Sequence, residues 1–189
     1  ADYSLSAEEQ KTPVPGPNEI LIKVQCAGVN RADLMQRRGL YPPPPGASKI
    51  LGLECSGIVE SVGRNCERFR GGDSVCALLS GGGYAEYVAV DEGSVLPMPV
   101  GFSFEQAASI PEVFATAWLN LFDKGELKKN SNVLIHAGAS GVGTAATQLC
   151  RVYESRPWVT VGSQFKLKKC MELGAVDGAV RTAADFWDR

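Results

Sequence analysis

The chain has 189 residues, 44% hydrophobic and 21% charged, with 19 basic against 21 acidic side chains and a net charge of −2. That balance excludes general tracking along a nucleic-acid backbone, which needs a basic surplus. No apolar run reaches the roughly 18 residues of a membrane helix, and collagen, a coiled coil and a disordered tail are excluded too.

The start, Ala1-Asp2-Tyr3-Ser4, has neither an initiator Met nor a signal-peptide pattern, so a trimmed front is expected. After the turn signal Pro15-Gly16-Pro17-Asn18 comes a β-rich run, Ile20 to Val24. Ser56 to Gly63, Ser74 to Leu79 and Tyr84 to Val90 are further strands with glycines between them. Short strands with glycine turns predict a compact β-barrel or sandwich. Asn30 to Met35 reads as one helical turn. Tyr41 to Gly46, with four consecutive prolines, cannot donate a ladder of hydrogen bonds and reads as a rigid loop, a surface PxxP ligand being the alternative.

From residue 103 the period changes. Ser103 and Gln106 form a capping box, Pro111 breaks or kinks that helix, and a second helical segment runs to Phe122 and ends near Gly125. Asn132 to Ala137 is the short apolar run of a buried parallel strand. A small-residue turn leads into a helix with Val142, Ala145, Ala146, Leu149 and Cys150 on one face. Trp158 to Val161 is the next strand, and Gln164 to Leu173 a helix with Leu167, Cys170 and Met171 inward and Gly174 as its stop. Strand, helix, strand, helix is the opening of a doubly wound α/β sheet.

Six cysteines stand at 26, 55, 66, 76, 150 and 170, with no C-x-x-C pair, and His136 is the only histidine. A zinc ribbon or finger is therefore excluded, and the cysteines read as small buried hydrophobes in a reducing cytosol. His136 reads as a satisfied core residue and not a catalyst. Residues 141 to 146 fit G-x-G-x-x-A between the strand and the helix. Glycines there let the backbone approach a diphosphate, and the N–H groups of the helix start meet the anion. An NAD-binding fold puts a carboxylate at the end of the next strand, whereas this chain has Gly162-Ser163-Gln164-Phe165-Lys166. NADP(H) is therefore preferred, with Lys166 supplying positive charge; a solvated helix lysine is the competing reading.

Four stretches resemble the zinc-independent quinone oxidoreductases of the medium-chain dehydrogenase/reductase superfamily, most of all the p53-inducible type: Ala27 to Arg37, Pro42 to Gly46, Gly52 to Gly57 and His136 to Gly143. In zinc-dependent alcohol dehydrogenases a Cys stands where Asn30 is and a His where Leu53 is, so the resemblance implies no metal. It implies a GroES-like β-barrel domain over residues 1–112 followed by part of a Rossmann domain over 113–189. By the same resemblance Asn30 and Tyr41 line the substrate pocket, the competing readings being a turn cap and a loop anchor. Thr116 and Ser140 lie near the cofactor with Gly138, Gly141, Val142 and Gly143. Gly162, Ser163 and Lys166 hold the adenosine 2′-phosphate, and Arg181 is either a second cation for it or surface drift. Glu54 is a buried structural carboxylate.

The activity implied is hydride transfer from NADPH to a quinone, by a cytoplasmic enzyme that is a homodimer at full length. The alternatives are reduction of an enone or enoyl thioester, and a truncated non-catalytic variant acting through binding. The family's first β-strand is missing, and with an end at Asp185-Phe186-Trp187-Asp188-Arg189 only the first mononucleotide-binding half of the doubly wound fold is expected. Glu154, where the family has glycine after the first helix, loses an easy left-handed cap and sets a carboxylate at the negative end of the dipole.

Overall fold

A computed structural model describes residues 3–182; Ala1-Asp2 and the ending from Asp185 to Arg189 lie outside the described residues. The chain divides into two compact units, Ala1–Glu112 and Val113–Arg189.

The first unit is built on an antiparallel sheet of five strands, β1 (Glu19–Ala27), β2 (Glu54–Val62), β3 (Ser74–Leu78), β4 (Tyr87–Asp91) and β5 (Val95–Pro97), in the order β4-β1-β2-β3-β5. Alternation buries Val88 and Val90 from β4, which meet Ile20, Ile22, Val59, Val75 and Val95 in one core. Gly57 is needed in β2 because a Cβ there would strike the backbone carbonyl of Lys23 on β1. Helix α1 (Arg31–Arg37) is capped by Asn30, whose N–H donates to the Asp33 carboxylate at 2.7 Å.

The strands depart from expectation at β4 and β5. Tyr84 to Glu86 do not belong to β4: the N–H groups of Gly82, Gly83 and Tyr84 donate to the carbonyls of Ile50, Gly52 and Leu51, which holds this stretch as a turn. Strand β5 went unpredicted because three residues ending in proline show no alternation. The proline stretch is a loop, closed by a turn from Ala47 N–H to the Pro44 carbonyl at 3.1 Å.

In the second unit a parallel sheet of β6 (Asn132–Ile135), β7 (Arg156–Val161) and β8 (Asp177–Val180) runs in the order β6-β7-β8. Helix α2 (Phe104–Ala107) ends the first unit, its capping box closed both ways by Ser103 and Gln106. Pro111 starts a new helix, α3 (Pro111–Trp118), at the position where its missing N–H costs nothing. A π-helical segment, Leu119–Lys124, follows and ends at Gly125. Helices α4 (Gly141–Val152) and α5 (Gln164–Leu173) pack on the sheet and on each other. Their core joins Ala145, Ala146, Cys150, Leu167 and Cys170 to Ile135, Val159 and Val161.

The inward stripes are narrower than the periodicity predicts. On α4, Val142 lies toward solvent and Leu149 is half-buried, while Thr147 is fully buried because its hydroxyl donates to the Gly143 carbonyl at 2.9 Å. On α5, Met171 is exposed, flanking the buried Leu167 and Cys170. Strand β6 buries only Ile135, and Leu134 is 62% exposed: among the described residues β6 is an edge strand with one neighbour. His136 follows the strand and is exposed, which corrects its reading as a core residue; its Nδ1 pairs with the Thr160 hydroxyl at 3.0 Å. Strand β8 also went unpredicted, since Asp177-Gly178-Ala179-Val180 carries little apolar pattern.

All six cysteines are free; four are buried, while Cys26 and Cys66 are half-buried. Burial pushes the Cys55 thiol up to about 12 and those of Cys76 and Cys150 to about 11, so these stay unreactive thiols at neutral pH.

Candidate functional site

The first unit holds a buried knot of carboxylates. Glu54, at the start of β2, is 2% exposed; its Oε1 accepts from the Asn30 side-chain amide at 2.7 Å and its Oε2 from the Glu112 N–H at 2.9 Å. Gly28 is required beside it, because a Cβ there would occupy the Glu54 carboxylate. Asp33, equally buried, accepts from the N–H groups of Asn30 and Gly52 at 2.7 and 3.2 Å. Burial holds the Glu54 carboxyl above the usual range, opposed by its bonds from Glu112 and Asn30 and reinforced by the Asp33 charge. The Tyr84 hydroxyl is enclosed without a partner in hydrogen-bond geometry, and burial, then the charge of Asp33, raises it above an ordinary phenol.

Beside this knot lies a cavity of about 220 Å³, lined by Gln36, Tyr41, Pro43, Pro44, Leu53, Leu78, Leu79, Ser80 and Glu112. The structure thus places Tyr41 on the cavity wall. Asn30 is not on that wall: it is drawn to Glu54, one hydrogen bond removed from Glu112. Glu112, Gln36 and Ser80 escaped the sequence reading. The one signal was a glutamate following Pro111 at a helix start, among apolar neighbours.

In the second unit the strand–turn–helix at 132–152 contains Gly138, Ser140, Gly141, Val142 and Gly143 in one bend. The turn itself is made by Ala137, with φ +53°, and by the Ser140 N–H donating to the Ala137 carbonyl at 2.8 Å. Gly141 is therefore not the turn residue. The three glycines are instead required by close approach. A Cβ would meet Val159 at 2.5 Å from Gly138, Val113 at 2.8 Å from Gly141, and the Ala137 and Gly138 carbonyls at 2.6 Å from Gly143. Ser140 caps α4, its hydroxyl accepting from the Gly143 N–H at 3.1 Å. The N–H groups of Gly141 and Val142 stand ahead of the helical ladder, where an anion is favoured.

The end of β7 lies next to this bend, because Gly138 N–H donates to the Thr160 carbonyl at 3.0 Å. There Ser163 caps α5, accepting from the Lys166 N–H at 3.4 Å. Arg181 lies over Gly162, its Nε 3.8 Å from where a Cβ would stand. Lys166 is exposed. Thr116 sits on α3, one turn beyond the Val113 that packs near Gly141, and its carbonyl accepts from the Asn120 amide at 2.8 Å. Among the described residues no three His, Cys, Asp or Glu are grouped to hold a metal ion. Nor is any helix of the described residues long and apolar enough to cross a membrane.

Residues 16–100 match the family model of the alcohol dehydrogenase GroES-like domain. The synaptic vesicle membrane protein VAT-1 homolog of Rattus norvegicus is 40% identical over 93% of this chain and 44% of its own length. The structure of Escherichia coli quinone oxidoreductase complexed with NADPH superposes with a TM-score of 0.78 at 31% identity, over 91% of this chain and 53% of that one. CurK enoyl reductase gives a TM-score of 0.84 at 29% identity, over 97% and 57%. The chain spans about half the length of the relatives it matches. The fold is α/β, a GroES-like domain with a Rossmann-like parallel sheet after it. Residues 16–100 thus carry an alcohol dehydrogenase GroES-like domain, and the chain is similar to oxidoreductases of the medium-chain dehydrogenase/reductase superfamily and to VAT-1 homologues.

Proposed function

We propose that the protein is an NADPH-dependent quinone oxidoreductase that transfers hydride without zinc, of the p53-inducible type. The observation that carries this reading is the bend at Gly138–Gly143 beside a strand end that offers cations and no carboxylate. The three glycines let the bend pack tightly against its neighbours, and the free Gly141 and Val142 N–H groups are available to a diphosphate. Gly162 leaves room above which Arg181 extends, and Ser163 and Lys166 open the next helix. These four would hold a 2′-phosphate, where an acidic residue would instead select the free hydroxyl of NAD. Thr116 stands on the helix that packs against the bend.

When bound, the dihydronicotinamide supplies the hydride, and the protein contributes orientation and electrostatics. In the cavity Tyr41 can donate its hydroxyl to the substrate oxygen as charge develops there. Asn30, off the cavity wall, instead holds Glu54 in place through its side-chain amide. The apolar wall of Pro43, Pro44, Leu53 and Leu79 suits a flat ring. We further propose a homodimer of the full-length protein, in the cytoplasm.

Likeness to an enoyl reductase favours one second reading, reduction of an enone or enoyl thioester. Following NADPH oxidation on matched quinone and enone panels decides between them: turnover of quinones alone is expected, and turnover of enones alone reverses the assignment. For the cofactor, Lys166→Ala should weaken NADPH binding by roughly tenfold or more, the worth of a charged hydrogen bond, and leave NADH nearly unchanged. Equal losses for both would remove the 2′-phosphate assignment.

A further inference from the structure

The cavity of the first unit contains an acid to which the quinone reading assigns no task. Glu112 lines the cavity with Tyr41, Gln36 and Ser80, and its place at the start of α3 is fixed by the bond from its N–H to Glu54. The titratable groups acting on it are Glu54 from β2 and Asp33 from α1, both buried acids, and no described cation pairs with it. Burial first, then the charges of Glu54 and Asp33, push its carboxyl above the ordinary range. A carboxyl in such company keeps its proton to higher pH than an exposed glutamate does.

We propose that Glu112 gives the proton that completes reduction of a quinone held in this cavity, a role that rests on the quinone-reductase reading above. A quinone that takes up a hydride, which a bound dihydronicotinamide would supply, gains two electrons and one hydrogen and becomes the hydroquinone monoanion. The O–H bond of Glu112 then breaks, an O–H bond forms on the phenolate oxygen, and the hydroquinone leaves neutral. Water returns a proton to the Glu112 carboxylate before the next turnover.

The 189-residue chain, labelled with ¹³C at its glutamate carboxyls, is titrated by NMR as wild type, Glu112→Gln and Glu112→Asp, with and without 1,4-naphthoquinone. One signal, absent from Glu112→Gln, should titrate at higher pH than the exposed glutamates. It should move when naphthoquinone is added, and Glu54→Gln should bring it down by removing the nearest charge. Where turnover is measured, wild-type kcat should fall as pH rises through this transition. Glu112→Gln should lower kcat by about tenfold or more with KM little changed and lose that alkaline fall, and Glu112→Asp should retain it. A Glu112 signal that titrates with the exposed glutamates overturns the proton-donor role, while naphthoquinone binding would leave the quinone reading standing. Failure of naphthoquinone to bind either protein overturns both.

Discussion

Gly143 illustrates how single residues set this molecule's limits. Its missing Cβ would lie 2.6 Å from two main-chain carbonyls, Ala137 and Gly138, which belong to the bend and cannot swing aside. At Gly141 the added carbon would meet only the tip of Val113. Gly143→Ala should therefore lower the unfolding free energy by about 1–3 kcal/mol and weaken NADPH binding, and Gly141→Ala should cost less on both counts. Urea unfolding and a nucleotide titration on the two variants check this; equal effects would show that close approach at 143 is not what selects glycine. The glycine pattern was legible in sequence because spacing alone names the motif. Its physical reason was not: left-handed backbone falls on Ala137, while Gly138 and Gly141 serve contacts with Val159 and Val113 that no local pattern contains.

Among the elements, α4 carries the clearest irregularity. It stops at Tyr153, and Glu154 takes the left-handed conformation, φ +54°, that glycine usually fills. Its carboxylate, unfavourable at this helix end, is met by Lys129 at 2.8 Å, with both side chains about two-thirds exposed. An exposed pair contributes ~0–1 kcal/mol, and relief of a left-handed side chain about 1–2 kcal/mol. Glu154→Gly should thus stabilise the protein by up to about 1 kcal/mol despite losing the pair, visible as a raised melting temperature; a lower one would mean the ion pair outweighs the backbone. Next to α4, the rings of Trp118, Phe122 and Tyr153 stack with centroids 4.3 Å and 4.4 Å apart along that order, joining the π-helical segment to the end of α4. Element types and the ends of α5 were readable from period and caps. Strands β5 and β8 were not, because three or four residues with proline or glycine carry no alternation and owe their pairing to a neighbouring strand.

At the scale of the whole molecule, the two units carry different chemistry. The first has a cavity backed by carboxylates, and the second a bend built for an anion. A ligand that binds only the folded second unit must stabilise it by mass action. NADPH at about a hundred times its Kd should add roughly 2.7 kcal/mol, read as a rise in melting temperature that NADH at equal concentration does not match. No rise with NADPH would count against a nucleotide at the bend.

What the amino-acid order determined alone was local and periodic: strands where apolar residues alternate, helices where caps and breakers stand, a glycine spacing between strand and helix, and the absence of an acid at 162–166. Each depends on residues within a few positions of one another. Only the tertiary structure decided that Glu112 reaches the wall that Tyr41 lines, that Asn30 is drawn to Glu54, and that Arg181 comes over Gly162. It also left β6 and His136 open where a buried strand was expected. Burial and charge depend on what packs alongside, and those neighbours lie tens of residues away along the chain.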